Sequence, residues 1–131
     1  MQEIKKIVIQ GAGALGALFA TKFSDAGGFD VRLLASGGRY DRLKREGLIV
    51  NERHYALPVI HPDEAADPAD LVLVASGTTT LEVAFHGRPM VVMYNASRLF
   101  YQLIGRWMIH TRHLSLPNIL AGREIVPEFM P

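Results

Sequence analysis

The chain has 131 residues, 49% apolar and 21% charged, with a formal charge of +1. That length suits one compact domain able to bury a core, and the composition excludes a disordered chain. The near-zero charge argues against a nucleic acid or an anionic membrane as partner. The lack of cysteine excludes disulfides, thiolate zinc sites and a thiol nucleophile.

In chain order, Ile7, Val8 and Ile9 open a strand at 6–10, and a helix follows at 14–26. Lys5 and Lys6 ahead of this apolar run have the outline of a secretory leader, but the glycines after it are spaced for another task. A strand at 30–35 precedes a short helix at 39–46, which Gly47 closes as a C′ glycine. Strands near 48–50 and 55–60 flank the polar turn Asn51, Glu52, Arg53. Segment 62–69, rich in Pro, Asp, Glu and Ala, is a helical turn leading into a strand at 70–75. Then come a helix at 79–87, a strand at 89–94, and a helix at 97–109 with Ser97 as N-cap. Leu99, Phe100, Leu103, Ile104, Trp107 and Met108 give that last helix an apolar stripe for packing on the sheet. Pro117 and Pro127 interrupt the terminal stretch. No apolar run reaches the ~18 residues of a membrane span.

Continuous apolar strands alternating with helices predict an α/β three-layer sandwich. The sheet is expected to be mostly parallel and Rossmann-like, with four or five strands, within a single domain over 1–131.

Gly11, Ala12, Gly13, Ala14, Leu15 and Gly16 form G-x-G-x-x-G between the first strand and the first helix. In that pattern Gly11 permits the tight turn, Gly13 admits a pyrophosphate to the backbone, and Gly16 lets helix and strand pack closely. The helix start then offers its free N–H groups to the phosphates. The alternative is a glycine turn kept for packing alone. An NAD site would place an acid at the end of the second strand to hold the ribose 2′-hydroxyl. Here Ala35, Ser36, Gly37, Gly38 and Arg39 stand instead, followed by Arg42 and Arg45. A missing acid beside guanidiniums fits a 2′-phosphate, so NADP is the expected cofactor; a solvated helix face is the other reading of these arginines.

The run from Lys6 to Gly16, the stretch R-L-K-R-E-G-L-I-V ending at Val50, and A-D-L-V-L-V-A over Ala69–Ala75 resemble ketopantoate reductases (2-dehydropantoate 2-reductases). The resemblance implies NADPH-dependent reduction of a 2-keto acid. That family usually has Arg where Ser36 stands, so Arg39 would have to substitute. After Ala75 the likeness stops, and no lysine follows Lys44 to serve as the family's catalytic lysine.

Residues from about 74 onward resemble a second family, the C-terminal half of lipid-A-disaccharide synthases. The resemblance is carried by Ser76, Gly77, Thr78, Thr79, Thr80, Leu81, Glu82, by G-R-P-M-V-V-M-Y over Gly87–Tyr94, and by S-L-P-N-I-L-A-G-R-E-I-V-P-E over Ser115–Glu128. It implies a sugar-nucleotide site at Ser76, Gly77, Thr78, Glu82, Asn118 and Arg123, although Asn95 stands where a Lys or Arg is usual. Thr79 and Glu82 also have the spacing of a capping box, which would occupy Glu82 locally.

Two families meeting inside one strand imply a recombined or engineered chimera with its seam near 71–76, where the strand's alternation survives joining. The leading expectation is a chimera without full enzymatic activity, retaining weak NADP(H) binding. The alternatives are a reductase fragment of the ketopantoate type and a UDP-sugar-binding glycosyltransferase fragment. Expected partners are a nucleotide and a second copy of the chain, because Phe100, Trp107 and 125–130 would leave apolar area uncovered. The parents' compartment is the cytoplasm. His110 and His113 lack the convergent ligands of a metal site. Asp63, Glu64, Asp67 and Asp70 look solvated rather than poised for acid–base work, and Ser76 lacks the second glycine of a nucleophile elbow.

Overall fold

The computed structural model describes residues 3–11, 13–64, 69–75, 77–94 and 113–129. The expected helix at 97–109, with its Ser97 cap and apolar stripe, lies outside them, as do Ala12, Ser76 and His110.

The strands are β1 (Lys6–Gln10), β2 (Asp30–Leu34), β3 (Leu48–Val50), β4 (Arg53–Tyr55), β5 (Val59–Ile60), β6 (Leu71–Ala75), β7 (Met90–Met93) and β8 (Glu128–Phe129). The helices are α1 (Ala14–Ala26), α2 (Gly37–Glu46), α3 (Thr79–Phe85) and α4 (Leu116–Ala121). Six strands form one sheet in the order β5-β2-β1-β6-β7-β8, and every pairing in it is parallel. This is the Rossmann-like fold the alternation predicts, with β3 and β4 added as a separate antiparallel hairpin.

Both faces of the sheet are covered. Ile7, Ile9, Val31, Leu33, Leu73 and Met93 point to one face and are buried with Ala20 of α1, Leu43 of α2 and Leu48 of the hairpin. The intervening Val72, Val74, Met90 and Val92 point to the other and are buried with Val83 of α3. Alternation within strands buried on both sides is what their uninterrupted Val, Ile and Leu content requires.

Three expectations are corrected. The sheet has six strands rather than four or five, because Glu128–Phe129 pairs with Val92–Met93. The strand expected over 55–60 is divided: 53–55 closes the hairpin, while Pro58, which has no N–H to give a ladder, precedes β5 and accepts from Leu33 N–H at 2.9 Å. The tail, read as interrupted at Pro117, instead starts α4 there, since proline at the first turn loses no helical hydrogen bond.

Candidate functional site

From β1 the chain moves outward to β2 and β5, then returns across the sheet to β6 and continues to β7 and β8. The order reverses between β1 and β6, and the crevice outside the carboxyl ends of such strands is where this architecture places ligands. The glycine turn after β1 lies there. Its neighbour is the end of β6: a Cβ added at Gly11 would stand 3.6 Å from the Ala75 Cβ.

The three glycines have separable reasons. Gly11 takes φ +87°, which only glycine adopts without strain. Gly16 is a close-approach position: a Cβ there would overlap the Gly11 carbonyl oxygen and stand 3.3 Å from Ile9 Cγ2. Gly13 is extended and open, with nothing within 4 Å of an added Cβ. It is the N-cap of α1, no side chain caps that end, and no acid sits in the first turn. The N–H groups of Ala14, Leu15 and Gly16 therefore have no intrahelical acceptor, and the site of developing positive potential is unscreened by carboxylate.

One wall of a groove of about 400 Å³ is formed by Gly13, Ala14 and Ala17; the other by Arg39, Arg42 and Glu46 of α2, with Leu43 and Leu48 below. Ser36 is exposed as the N-cap of α2, makes no side-chain cap bond and is not among the residues lining this groove, and Ala35 is buried. Gly47 closes α2 as expected, donating to the Leu43 carbonyl at 2.8 Å. A Cβ at Gly47 would overlap the His54 ring, whose Nε2 lies 2.8 Å from the Glu46 carbonyl. The hairpin is thereby latched to the groove's end.

A groove of about 390 Å³ lies at the opposite, amino ends of β1 and β6 and carries Glu3, Asp70 and Arg88. Its Asp70 is already engaged, accepting from the Lys5 and Lys6 N–H groups at 2.9 and 2.8 Å. Those bonds hold the Asp70 carboxyl below its ordinary value.

The second set of expected residues is less convergent. Gly77 and Thr78 are exposed in the turn after β6, and Glu82 is exposed one turn along α3. The capping box expected at Thr79 and Glu82 does not form. Thr78 is the N-cap with helical backbone and no side-chain cap bond, and the Thr80 hydroxyl donates instead to the Gly77 carbonyl at 2.6 Å. Arg123 is exposed after α4.

Asn118 is fully buried and its amide is spent inside the chain. Its Nδ2 donates to the Val126 carbonyl and to Glu128 Oε1, while its Oδ1 accepts from the Ile125 and Val126 N–H groups. Glu128, which the sequence reading passed over, also accepts from Leu114 N–H and from Ser115 N–H and hydroxyl. Burial pushes the Glu128 carboxyl up, but these donors outweigh it and leave it below its ordinary value. Next to it, burial and the Glu128 charge push the Tyr94 phenol up to about 12.

Among the described residues no cluster of His, Asp and Glu could hold a metal, and no helix is long and apolar enough to cross a membrane. Strand order, glycine turn and two covered faces together define a Rossmann-like α/β protein. A solved structure agrees: the ternary structure of D-mandelate dehydrogenase with NADH and anilino(oxo)acetate superposes with a TM-score of 0.55 over 78% of this chain and 37% of its own, at 23% identity. At that identity the likeness is one of fold.

The family model for lipid-A-disaccharide synthetase matches residues 40–131, and the chain belongs to that family. The lipid-A-disaccharide synthase of Dechloromonas aromatica is 42% identical over 96 residues, covering 70% of this chain and 25% of its own length. That of Methylobacillus flagellatus is 45% identical over 80 residues, covering 58% and 21%. The chain thus spans about a fifth to a quarter of these relatives. The family match begins inside α2, upstream of the 71–76 seam expected from sequence.

Proposed function

We propose that this chain is a dinucleotide-binding domain, taking NADP(H) at the glycine turn without completing either parent chemistry. The observation that carries the reading is the contrast within the turn. Gly16 is closed by packing, whereas Gly13 opens into a groove walled by Arg39 and Arg42. Open glycines are common in this chain, so it is the groove across from Gly13, with its two arginines, that favours binding over packing. A pyrophosphate would lie against the free N–H groups of the α1 start, with Gly11, Ala12, Gly13, Ala14, Leu15 and Gly16 as its cradle. Ser36 and Arg39 would meet the ribose phosphate, and the absence of an acid there fits NADP over NAD.

Hydride transfer requires a substrate fixed against the nicotinamide, and these residues offer no lysine beyond Lys44 for a ketopantoate-type reaction. The chimera of two parents, with its junction near 71–76, remains our account of how a reductase-like turn came to stand on a synthase-family chain.

A second reading has its own observation. Gly77 and Thr78 stand exposed at the same switch point, where Ser76, Glu82 and Arg123 would add to a sugar-nucleotide site. In this reading Asn118 acts from within, by fixing the segment before Glu128 rather than by touching a ligand.

Calorimetric titration with NADPH, and with UDP in parallel, tests both. Saturable NADPH binding that Gly13→Asp abolishes is the expected result. Binding of UDP alone would shift the assignment to the second reading, and silence from both nucleotides would remove the binding function.

A further inference from the structure

We propose that Arg42, acting with Arg39, is the specificity determinant of this site: the pair recognises a phosphomonoester on the adenosine ribose from helix α2, in place of a residue at the end of β2. The inference rests on the dinucleotide reading above. Arg39 and Arg42 are three apart, so they share one helix face, and both line the groove opposite Gly13 and Ala14.

Among the described residues Arg32 is held by Asp30 at 2.7 Å, Arg45 by Glu46 at 2.6 Å and Arg53 by Asp25 at 3.8 Å, while Arg88 and Arg123, away from this groove, have no carboxylate partner. No carboxylate holds Arg39 or Arg42 among the described residues, and both side chains are exposed to the groove's solvent. Glu46 is the one acid among the groove's lining residues, and the Arg45 guanidinium grips it through Nε and a terminal nitrogen. A phosphomonoester near neutral pH carries close to two negative charges, which two forked guanidiniums match in number and geometry. Ser36 can contribute a single neutral hydroxyl and leaves that charge uncompensated.

The groove extends from the glycine turn along α2 to Gly47 and Leu48. It therefore serves the adenosine half of the dinucleotide, and adenosine 2′,5′-bisphosphate should keep most of the selectivity without any nicotinamide.

Titrations of the whole chain with NADPH, NADH, adenosine 2′,5′-bisphosphate and 5′-AMP provide the test. The expected result is NADPH at least about tenfold tighter than NADH, as a charged hydrogen-bonded pair implies, and the bisphosphate favoured over 5′-AMP by a similar ratio. Arg42→Gln and Arg39→Gln should each collapse that ratio, NADPH affinity falling far more than NADH affinity, with thermal melting unchanged. Glu46→Gln should tighten NADPH more than it tightens NADH. Equal binding of NADPH and NADH, or a ratio that Arg42→Gln leaves intact, overturns the determinant while the glycine-turn reading stands. If neither dinucleotide binds, both fall together.

Discussion

Gly13 and Gly16 occupy one turn, yet the same kind of substitution would act on them in opposite ways. Gly16→Ala drives a methyl into the Gly11 carbonyl, so β1 and α1 must separate, at a cost of roughly 1–3 kcal/mol visible as a lower denaturant midpoint. Gly13→Asp supplies the side-chain acceptor that the α1 N-cap lacks, a gain of a few tenths of a kcal/mol, while placing a negative charge where phosphate would sit. Loss of nucleotide with stability kept would assign Gly13 to binding and Gly16 to packing. Both residues were legible from G-x-G-x-x-G, because that spacing encodes a turn and a close approach. Arg42 was visible only as an available cation. Its place opposite Gly13 depends on how α2 lies across α1, which no local pattern states.

At the scale of elements, the C-terminal segment is held less by apolar burial than by the Asn118–Glu128 network. Asn118→Ala strips the acceptor from two N–H groups and a donor from Glu128, so roughly 2–4 kcal/mol should be lost, measurable by urea unfolding. The same network makes the segment acid-sensitive. Glu128 is held below 4.5 in the folded state, so its contribution is fully present above that pH and disappears as pH falls through the lowered folded value. Asp70 follows the same sign at the start of β1. Stability should therefore drop on acidification below about pH 4.5, and Glu128→Gln should flatten part of that dependence. None of this network was legible, because Glu128 follows a proline in a tail without periodicity, and only the fold brings it to Ser115 and Asn118. Proline misled twice for one reason: its missing N–H ends a ladder at Pro58 but begins a helix at Pro117.

For the whole molecule, exposed apolar side chains remain to be explained. Phe85 is 87% exposed, Leu120 75% and Ile125 50%, far beyond scattered surface residues of smaller size. Dimerisation is the expected outcome in sedimentation, and Phe85→Ser with Leu120→Ser should return a monomer of unchanged secondary structure. A clean monomer for the parent chain would defeat the expectation. The alternation of apolar runs and helices carried the layer architecture, because strands covered on both faces must be continuously apolar. The two-residue strand β8 escaped, being too short to show any period.

The sheet's geometry also fixes the order in which its centre is completed. β1 emerges first in synthesis, but Ile7 pairs with Leu71, 64 positions later (71 − 7). If the backbone were severed in the connection ahead of β6, each piece would present as a new edge the row of peptide groups that the intact sheet keeps at its middle. The pieces would then be natural complements, able to reunite without a covalent link. The crevice straddles that same line of reunion, with Gly11 on one piece and Ala75 on the other. Reassembly would close the crevice where Gly11 meets Ala75, while the groove between α1 and α2 would stay whole on the first piece.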